Sequence, residues 1–181
     1  MVQIRGNTFE TNSSSAHSLV IMNTPCEHYT SEEARNELWL HFDELTGVYT
    51  PMENLYFGRY PFRILYTFED KLNYAYACAK TRKQVNPVTG KTYYTRRYHD
   101  VSEVVSKFIP GFRRAKFNRI FDSPDTDESC LHSWLKKANM SLIEFLTNKQ
   151  VMVICDGDEY NMWYHMKQKG LINVNNIGEE Y

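Results

Sequence analysis

Apolar residues follow two different spacings along this chain, and each spacing predicts a different kind of element. Short continuous apolar runs at residues 19–22 and 151–155 are typical of buried strands. Elsewhere apolar residues recur every three to four positions, which is typical of a helix with one buried face. The predicted helices are 31–42, 67–83, 101–108, 130–137, 142–148 and 160–169. The pattern therefore predicts an α+β fold, with several helices packed on a small mixed or antiparallel sheet.

Three of these helices begin at recognisable capping residues. Ser31 precedes two glutamates, whose negative charge suits the positive end of a helix dipole. Thr67 and Ser141 are each followed three residues later by an acidic residue, as in a capping box. We therefore expect the start of these helices to be better defined than their ends.

Polar stretches with glycine or proline separate the elements. Residues 3–22 predict a hairpin, because the short polar side chains at 11–15 can bond their own backbone in a turn. Residues 46–61 predict a loop. Residues 86–99, which are rich in Thr and Tyr, predict a hairpin or loop that protrudes from the domain.

The length of 181 residues fits one domain. We expect residues 1–181 to form a single α+β domain that carries a basic, tyrosine-rich insertion at about 80–119. Charge distinguishes this insertion from the rest of the chain. It holds eleven Lys or Arg against two Asp or Glu, a net of +9, whereas the whole chain has a net charge of −1. A basic stretch on an acidic body predicts a partner with an electrostatic field of its own, such as one that carries phosphate groups.

The central insertion is the first candidate site. Lys and Arg neutralise phosphates, and aromatic rings stack on unpaired bases at roughly 1–3 kcal/mol each. Phe112 and Phe117 are two of the rings interleaved with the charges. The predicted nucleic-acid or partner-binding residues are Arg82, Lys83, Lys91, Tyr93, Tyr94, Arg96, Arg97, Tyr98, Arg113, Arg114, Lys116 and Arg119. The alternative is a solvated basic face that pairs with the acidic ends of this chain or of a second copy in a homodimer.

A serine-rich turn is the second candidate. Its residues are Asn12, Ser13, Ser14, Ser15 and His17. Serine and histidine this close allow a hydrolase reading, but a nucleophilic serine needs a base within hydrogen-bond reach and a group that orients the base. The same hydroxyl and N–H groups could instead bind a phosphate. A hydrogen-bonded turn without further function is the third reading.

Acidic residues after the run at 151–155 are the third candidate. Asp156 and Asp158 stand at a predicted strand end, where carboxylates can hold Mg²⁺ in nucleases. Complementary ligands at motif spacing are lacking, so a turn before a helix is the simpler reading. The four cysteines form no CxxC pair and the chain has no HExxH or phosphate-binding loop motif. We therefore expect no cofactor and no metal, and the chain lacks the strong signatures of an enzyme.

We expect the protein to be cytoplasmic. No apolar run approaches the ~20 residues that span a bilayer, and the first residues lack the apolar stretch of a secretory signal. We expect no contact with a membrane.

Two segments resemble a known group of proteins. Residues 9–19 read F-E-T-N-S-S-S-A-H-S-L, and residues 66–77 read Y-T-F-E-D-K-L-N-Y-A-Y-A. Both are similar to segments of a group of small proteins from phages and mobile elements of gut bacteria, which begin with FETNSSSxHSL or close variants. Ala16 departs from the Ser, Thr or Val common there. The group includes an inhibitor of the CRISPR effector Cas9, a type II anti-CRISPR.

The resemblance implies a binding inhibitor that engages Cas9 or its guide-RNA complex in the cytoplasm of a host bacterial cell and blocks DNA binding or cleavage. It implies no catalytic residues. Direct RNA contact by the basic centre and imitation of DNA by the acidic ends are both compatible with it. Two alternatives remain: a nucleic-acid-processing or hydrolytic enzyme that uses one of the other candidate sites, and a self-associating structural protein of a mobile element.

Overall fold

The fold is described here from a computed structural model. It describes residues 2–5, 16–22, 25–51, 55–56, 63–79, 81–90, 92–96, 98–117, 120–121 and 130–156. The helices are α1 Ser31–Leu38, α2 Phe68–Ala77, α3 Tyr98–Phe108, α4 Cys130–Ala138 and α5 Leu142–Thr147. The strands are β1 Val2–Arg5, β2 Ala16–Ile21, β3 Phe42–Asp43, β4 Val48–Tyr49, β5 Leu55–Tyr56, β6 Arg63–Leu65, β7 Thr81–Val85, β8 Thr92–Arg96, β9 Arg114–Ala115, β10 Ile120–Phe121 and β11 Val151–Asp156.

The largest sheet has four antiparallel strands in the order β1-β2-β11-β6. β1 and β2 form the predicted N-terminal hairpin, with Val2 opposite Ile21. β11 lies between β2 and β6, with Val153 opposite both Leu19 and Leu65. The α+β prediction is confirmed, and this sheet is antiparallel throughout. The predicted turn at 11–15 and the predicted helix at 160–169 lie outside the described residues.

Both faces of β11 are buried, which explains its continuous apolar run. Alternate residues of a strand point to opposite faces. The first face contributes Leu19, Leu65, Val151, Val153 and Cys155 to the main core, where they pack with residues of all the described helices. The second face carries a smaller buried cluster of Val20, Met152 and Ile154.

Two helix starts confirm the capping predictions, and one corrects them. Thr67 and Ser141 each accept a hydrogen bond from the backbone N–H three residues on, as predicted. The first helix is capped by Thr30 rather than Ser31. Thr30 Oγ1 accepts from Glu33 N, and the Glu33 carboxylate accepts from Thr30 N, so both groups of a capping box are satisfied.

Helix α2 ends earlier than its pattern predicts. It stops at Ala77 instead of reaching residue 83, because β7 pairs along its whole length with β8. Backbone hydrogen bonds to β8 replace those of a longer helix. The hairpin predicted around 86–99 is confirmed in type but starts five residues earlier, at Thr81. Its turn at 87–90 is exposed.

The prediction of a loop at 46–61 is wrong in part. β4 pairs parallel with β9, and β5 pairs parallel with β10. β3 completes a mixed three-stranded sheet with β4 and β9. The basic segment after α3 is therefore attached to an earlier part of the chain by backbone pairing, which a local pattern of residues cannot indicate.

Among the helices that are described, none is both long and apolar enough to cross a membrane.

Candidate functional site

The basic insertion spans three kinds of element. β7 and β8 form a separate two-stranded sheet, α3 follows, and β9 lies in the small mixed sheet. Side chains are described for Lys107, Arg113, Arg114 and Lys116 among its cations. We call the last three, Arg113, Arg114 and Lys116, the basic triplet.

The backbone of the basic triplet is held by the loop between β3 and β4. Gly47 O accepts hydrogen bonds from Arg113 N at 2.8 Å and from Arg114 N at 3.3 Å. Lys116 N donates to Tyr49 O at 2.8 Å. Gly47 has φ +68°, and a Cβ there would overlap Gly111 O and lie 2.7 Å from Arg113 Cγ. A glycine is therefore required both by the turn and by the close approach.

Aromatic residues around the basic triplet point inward, which corrects the prediction for Phe112 and Phe117. Phe112 is 3% exposed and stacks on Phe42 with ring centroids 5.8 Å apart. Phe117 packs against the main core, with its ring 4.8 Å from that of Tyr76. These two rings anchor the segment to the core, and the buried ring of Phe112 offers no open face for a base. Core packing also accounts for part of the tyrosine content, since Tyr76 is fully buried.

The side chains of the basic triplet are exposed. Within the described part of the chain, no ion pair involves any of the three. Lys107 differs, because its ammonium lies 2.8 Å from the Glu103 carboxylate one helical turn away. Among the described residues, the alternative in which the basic centre is neutralised by the protein's own acids therefore finds no support at the basic triplet.

Carboxylates of the supporting loop have other partners. Asp43 accepts from the Thr46 hydroxyl at 2.7 Å and from the Leu45 N–H at 2.9 Å. The hydrogen bonds from Thr46 hold the pKa of the Asp43 carboxyl below its usual range. Glu44 pairs with Arg35 at 2.7 Å. The loop that holds the basic triplet thus leaves its positive charge uncompensated, and the triplet presents three cations within four residues of chain.

The hairpin places further predicted residues in register. Its Cα partners bring Lys83 opposite Tyr94, Arg82 opposite Thr95 and Arg96 opposite Thr81. The side chains of Arg82, Lys83, Tyr93, Tyr94, Arg96 and Tyr98 lie outside what the structure describes, and so do the whole residues Lys91, Arg97 and Arg119. Their role as binding residues stays a prediction.

Strand register brings the two catalytic alternatives to the same end of the main sheet. His17 on β2 is opposite Cys155 on β11, and Asp156 is opposite Ala16. Asn12, Ser13, Ser14, Ser15 and Asp158 lie outside the described residues. Among the residues that are described, no group of three or more His, Cys, Asp or Glu could hold a metal ion.

A polar network that the sequence did not predict supports the loop of the basic triplet from inside. The Tyr49 hydroxyl donates to Glu69 Oε1 at 2.7 Å and lies 2.8 Å from Asn73 Oδ1. His41 Nδ1 lies 2.6 Å from the same Glu69 oxygen. Burial, and then the Glu69 charge, raise the pKa of the Tyr49 hydroxyl, so it stays a donor. The network ties β4 to α2, and β4 carries the carbonyl that holds Lys116.

The sequence analysis did not single out two further polar features. Lys71 is fully buried, and its ammonium donates to Asn148 O at 2.8 Å. Cys26 lies 3.2 Å from His28, with Thr147 and Asn148 beside them. The short spacing of Cys26 and His28 is a signal that the sequence does contain. Their buried partners are more than a hundred residues away and carry no local signal.

No protein-family model, no curated protein and no solved structure matches the chain. The function must therefore be inferred from the chemistry of the residues themselves.

Proposed function

We propose that this protein is a non-enzymatic binding inhibitor that grips a polyanion, namely the guide RNA of a Cas9 complex, in the cytoplasm of a bacterial host. The exposed basic triplet, free of carboxylate partners among the described residues, is the observation that carries the polyanion contact. The resemblance of residues 9–19 and 66–77 to an anti-CRISPR-containing group supports the choice of target.

The chemistry of the basic triplet suits a phosphate ligand. A guanidinium presents a planar fork that fits phosphate oxygens in a bidentate contact. Arg113 and Arg114 are adjacent, and both are bound through their backbone N–H groups to one carbonyl, that of Gly47. Their main chain is fixed before a ligand arrives, so less conformational entropy is lost when the side chains bind.

The basic insertion extends the same field beyond the basic triplet. It carries a net of +9 in forty residues. Each phosphate contact releases condensed counterions, so binding to single-stranded nucleic acid should weaken steeply with salt. Binding through this charge, with no turnover, predicts inhibition of Cas9 that saturates at a fixed stoichiometry.

The test uses two matched charge-reversal variants. Arg113→Glu with Arg114→Glu reverses two charges of the basic triplet, and Lys136→Glu with Lys137→Glu reverses two exposed lysines at the end of α4. Both change the net charge by −4, so a general electrostatic effect acts equally on them. Binding is measured by fluorescence anisotropy with guide RNA alone, Cas9 alone and the assembled complex, at several salt concentrations.

We expect the arginine variant to lose at least about tenfold in affinity for RNA and for the complex, and the lysine variant to bind nearly as the wild type does. The slope of log affinity against log salt should fall by about 1 to 1.5 in the arginine variant. Equal affinities for the two variants would remove the basic triplet from the mechanism. Failure of the wild type to bind either RNA or the complex, or to inhibit cleavage, would refute the proposed function.

A further inference from the structure

Cys26 and His28 lie in a segment that is tied to the end of α5 by backbone pairing. His28 and Asn148 form an antiparallel bridge. Tyr29 N donates to Thr147 O at 2.8 Å, and Lys149 N donates to Glu27 O at 2.8 Å. This pairing fixes the backbone of Cys26 and His28 relative to Thr147 and Asn148.

Hydrogen bonds determine which nitrogen of His28 carries a proton. The Thr147 hydroxyl donates its one proton to Ile143 O at 2.9 Å. It must therefore act as acceptor toward His28 Nδ1, which lies 3.2 Å away. Nδ1 then carries the proton of the neutral ring, and the lone pair is on Nε2. Nε2 is the atom that lies 3.2 Å from Cys26 Sγ, so the ring is arranged to accept the thiol proton.

The orientation of the Asn148 amide follows from a second hydrogen bond. Gln150 N donates to Asn148 Oδ1 at 2.9 Å, which assigns the oxygen to that side. The Nδ2 group is then directed at Cys26 Sγ, 3.6 Å away. A donor aimed at the sulfur stabilises its negative charge once the proton has left. Asn148 is 5% exposed and Thr147 is 6% exposed, so both orienting groups are held by the core, whereas Cys26 is exposed.

We propose that Cys26 is a nucleophilic thiol, with His28 as its general base, that accepts acyl groups from activated esters or thioesters. A nucleophile, a base in hydrogen-bond reach and a third group that orients the base are the recurring parts of such sites. A metal site is the poorer reading, since the described residues offer no third ligand of the His, Cys, Asp or Glu type. The proposal is independent of the polyanion-binding function.

The chemistry balances without a further reactant besides water. Cys26 Sγ attacks the acyl carbon as His28 Nε2 takes the thiol proton, an S–C bond forms, and the bond from carbon to the leaving oxygen or sulfur breaks. The imidazolium returns its proton to that leaving group, which departs as an alcohol or thiol. Water then hydrolyses the thioester, with His28 as the base again, to give a carboxylic acid and the free thiol.

The test is acyl transfer from p-nitrophenyl acetate to the intact protein. Release of p-nitrophenolate is followed by absorbance, and acetylated cysteines are located by peptide mass spectrometry. The variants are His28→Ala, Cys26→Ser, Thr147→Val, which removes the acceptor for Nδ1, and Thr147→Ser, which retains it. Circular dichroism checks that each variant is folded. Buried Cys155 serves as an internal control, because burial raises the pKa of its thiol to about 12.

We expect the acetyl group on Cys26 and not on Cys155, and a rate at least about tenfold lower in His28→Ala. Thr147→Val should be slowed, and Thr147→Ser, which keeps the hydroxyl that accepts from Nδ1, should keep most of the wild-type rate. Cys26→Ser should lose the acetylated peptide. The proposal is overturned if Cys26 reacts no faster than glutathione under the same conditions, or if His28→Ala reacts at the wild-type rate.

Discussion

Lys71 gives the sharpest prediction about stability, because a fully buried ammonium is rare and its energy depends on pH. Its nitrogen donates to Asn148 O and lies 5.7 Å and 5.9 Å from the ring centres of Tyr29 and Phe145. Burial lowers the pKa of Lys71 to about 7, although the nearby charges of Glu37 and Asp70 oppose this shift. The folded protein therefore releases a proton near neutral pH that the unfolded chain keeps.

The direction of the pH effect follows from this difference in bound protons. The ordinary pKa of 10.5 applies to the unfolded chain, so between about pH 7 and pH 10 the unfolded state binds more protons than the folded state. The free energy of unfolding must then rise with pH in this interval. At about 1.4 kcal/mol for each pKa unit, the Lys71 contribution between pH 7 and pH 9 amounts to roughly 2 kcal/mol.

Lys71→Met isolates this contribution. Methionine retains the apolar stem, and Asn148 O still accepts from Val151 N at 3.2 Å, so the carbonyl is not left without a donor. Urea unfolding is measured at intervals from pH 7 to pH 9 for the wild type and the variant. We expect the wild type to gain roughly 2 kcal/mol relative to Lys71→Met over this range.

The comparison cancels other titrating groups, since the buried Cys155 thiol and the buried tyrosines are present in both proteins. Lys107→Met is the matched control. Lys107 is exposed and pairs with Glu103 on the surface of α3, so its removal should leave the pH dependence nearly unchanged. If the curves of the wild type and Lys71→Met run parallel, Lys71 keeps its proton in the folded state and the reasoning from burial is wrong.

The remaining stability predictions concern backbone positions, and urea unfolding measures each of them. Gly90 and Gly47 have nearly the same positive φ, but a Cβ meets nothing at Gly90 and overlaps Gly111 O at Gly47. Gly90→Ala should cost about 1 kcal/mol and Gly47→Ala about 1–3 kcal/mol more, and equal losses would contradict the close approach at Gly47. Thr67→Ala should cost about 1 kcal/mol, because the Asp70 N–H loses its cap, and an unchanged stability would show that water replaces the hydroxyl.

The binding and acyl-transfer experiments test the two proposals independently of each other. The basic triplet and the Cys26 site use different residues, and the two assays share no readout. Loss of RNA binding in the arginine variant should leave acetylation of Cys26 at the wild-type rate. Likewise, His28→Ala should bind RNA as the wild type does. A variant that loses both properties would indicate unfolding, which circular dichroism detects.

Elements defined by neighbouring residues were predictable. The caps at Thr67 and Ser141 and the strand at 151–155 are recognisable because capping and burial leave a mark within a few positions. The end of α2 was not predictable, since the residues after Ala77 can continue a helix. Only pairing with β8 shows that they form a strand.

The candidate sites also combine features that the sequence predicts with features that only the tertiary structure shows. The charge of the basic insertion is a property of composition, so the sequence contains it. The sequence does not indicate that Phe112 and Phe117 point inward, because their direction depends on the pairing of β9 with β4. Cys26 and His28 are close in sequence, yet their arrangement as thiol and base depends on Thr147 and Asn148.

By itself the sequence determined where helices start, which strand is most deeply buried and where positive charge is concentrated, because each depends on residues close together in the chain. The tertiary structure alone decided which of the described cations pair with a described carboxylate, which aromatic rings are buried and which nitrogen of His28 faces the thiol. These properties arise from contacts between distant segments, and the free energy of such contacts depends on a geometry that no local pattern specifies.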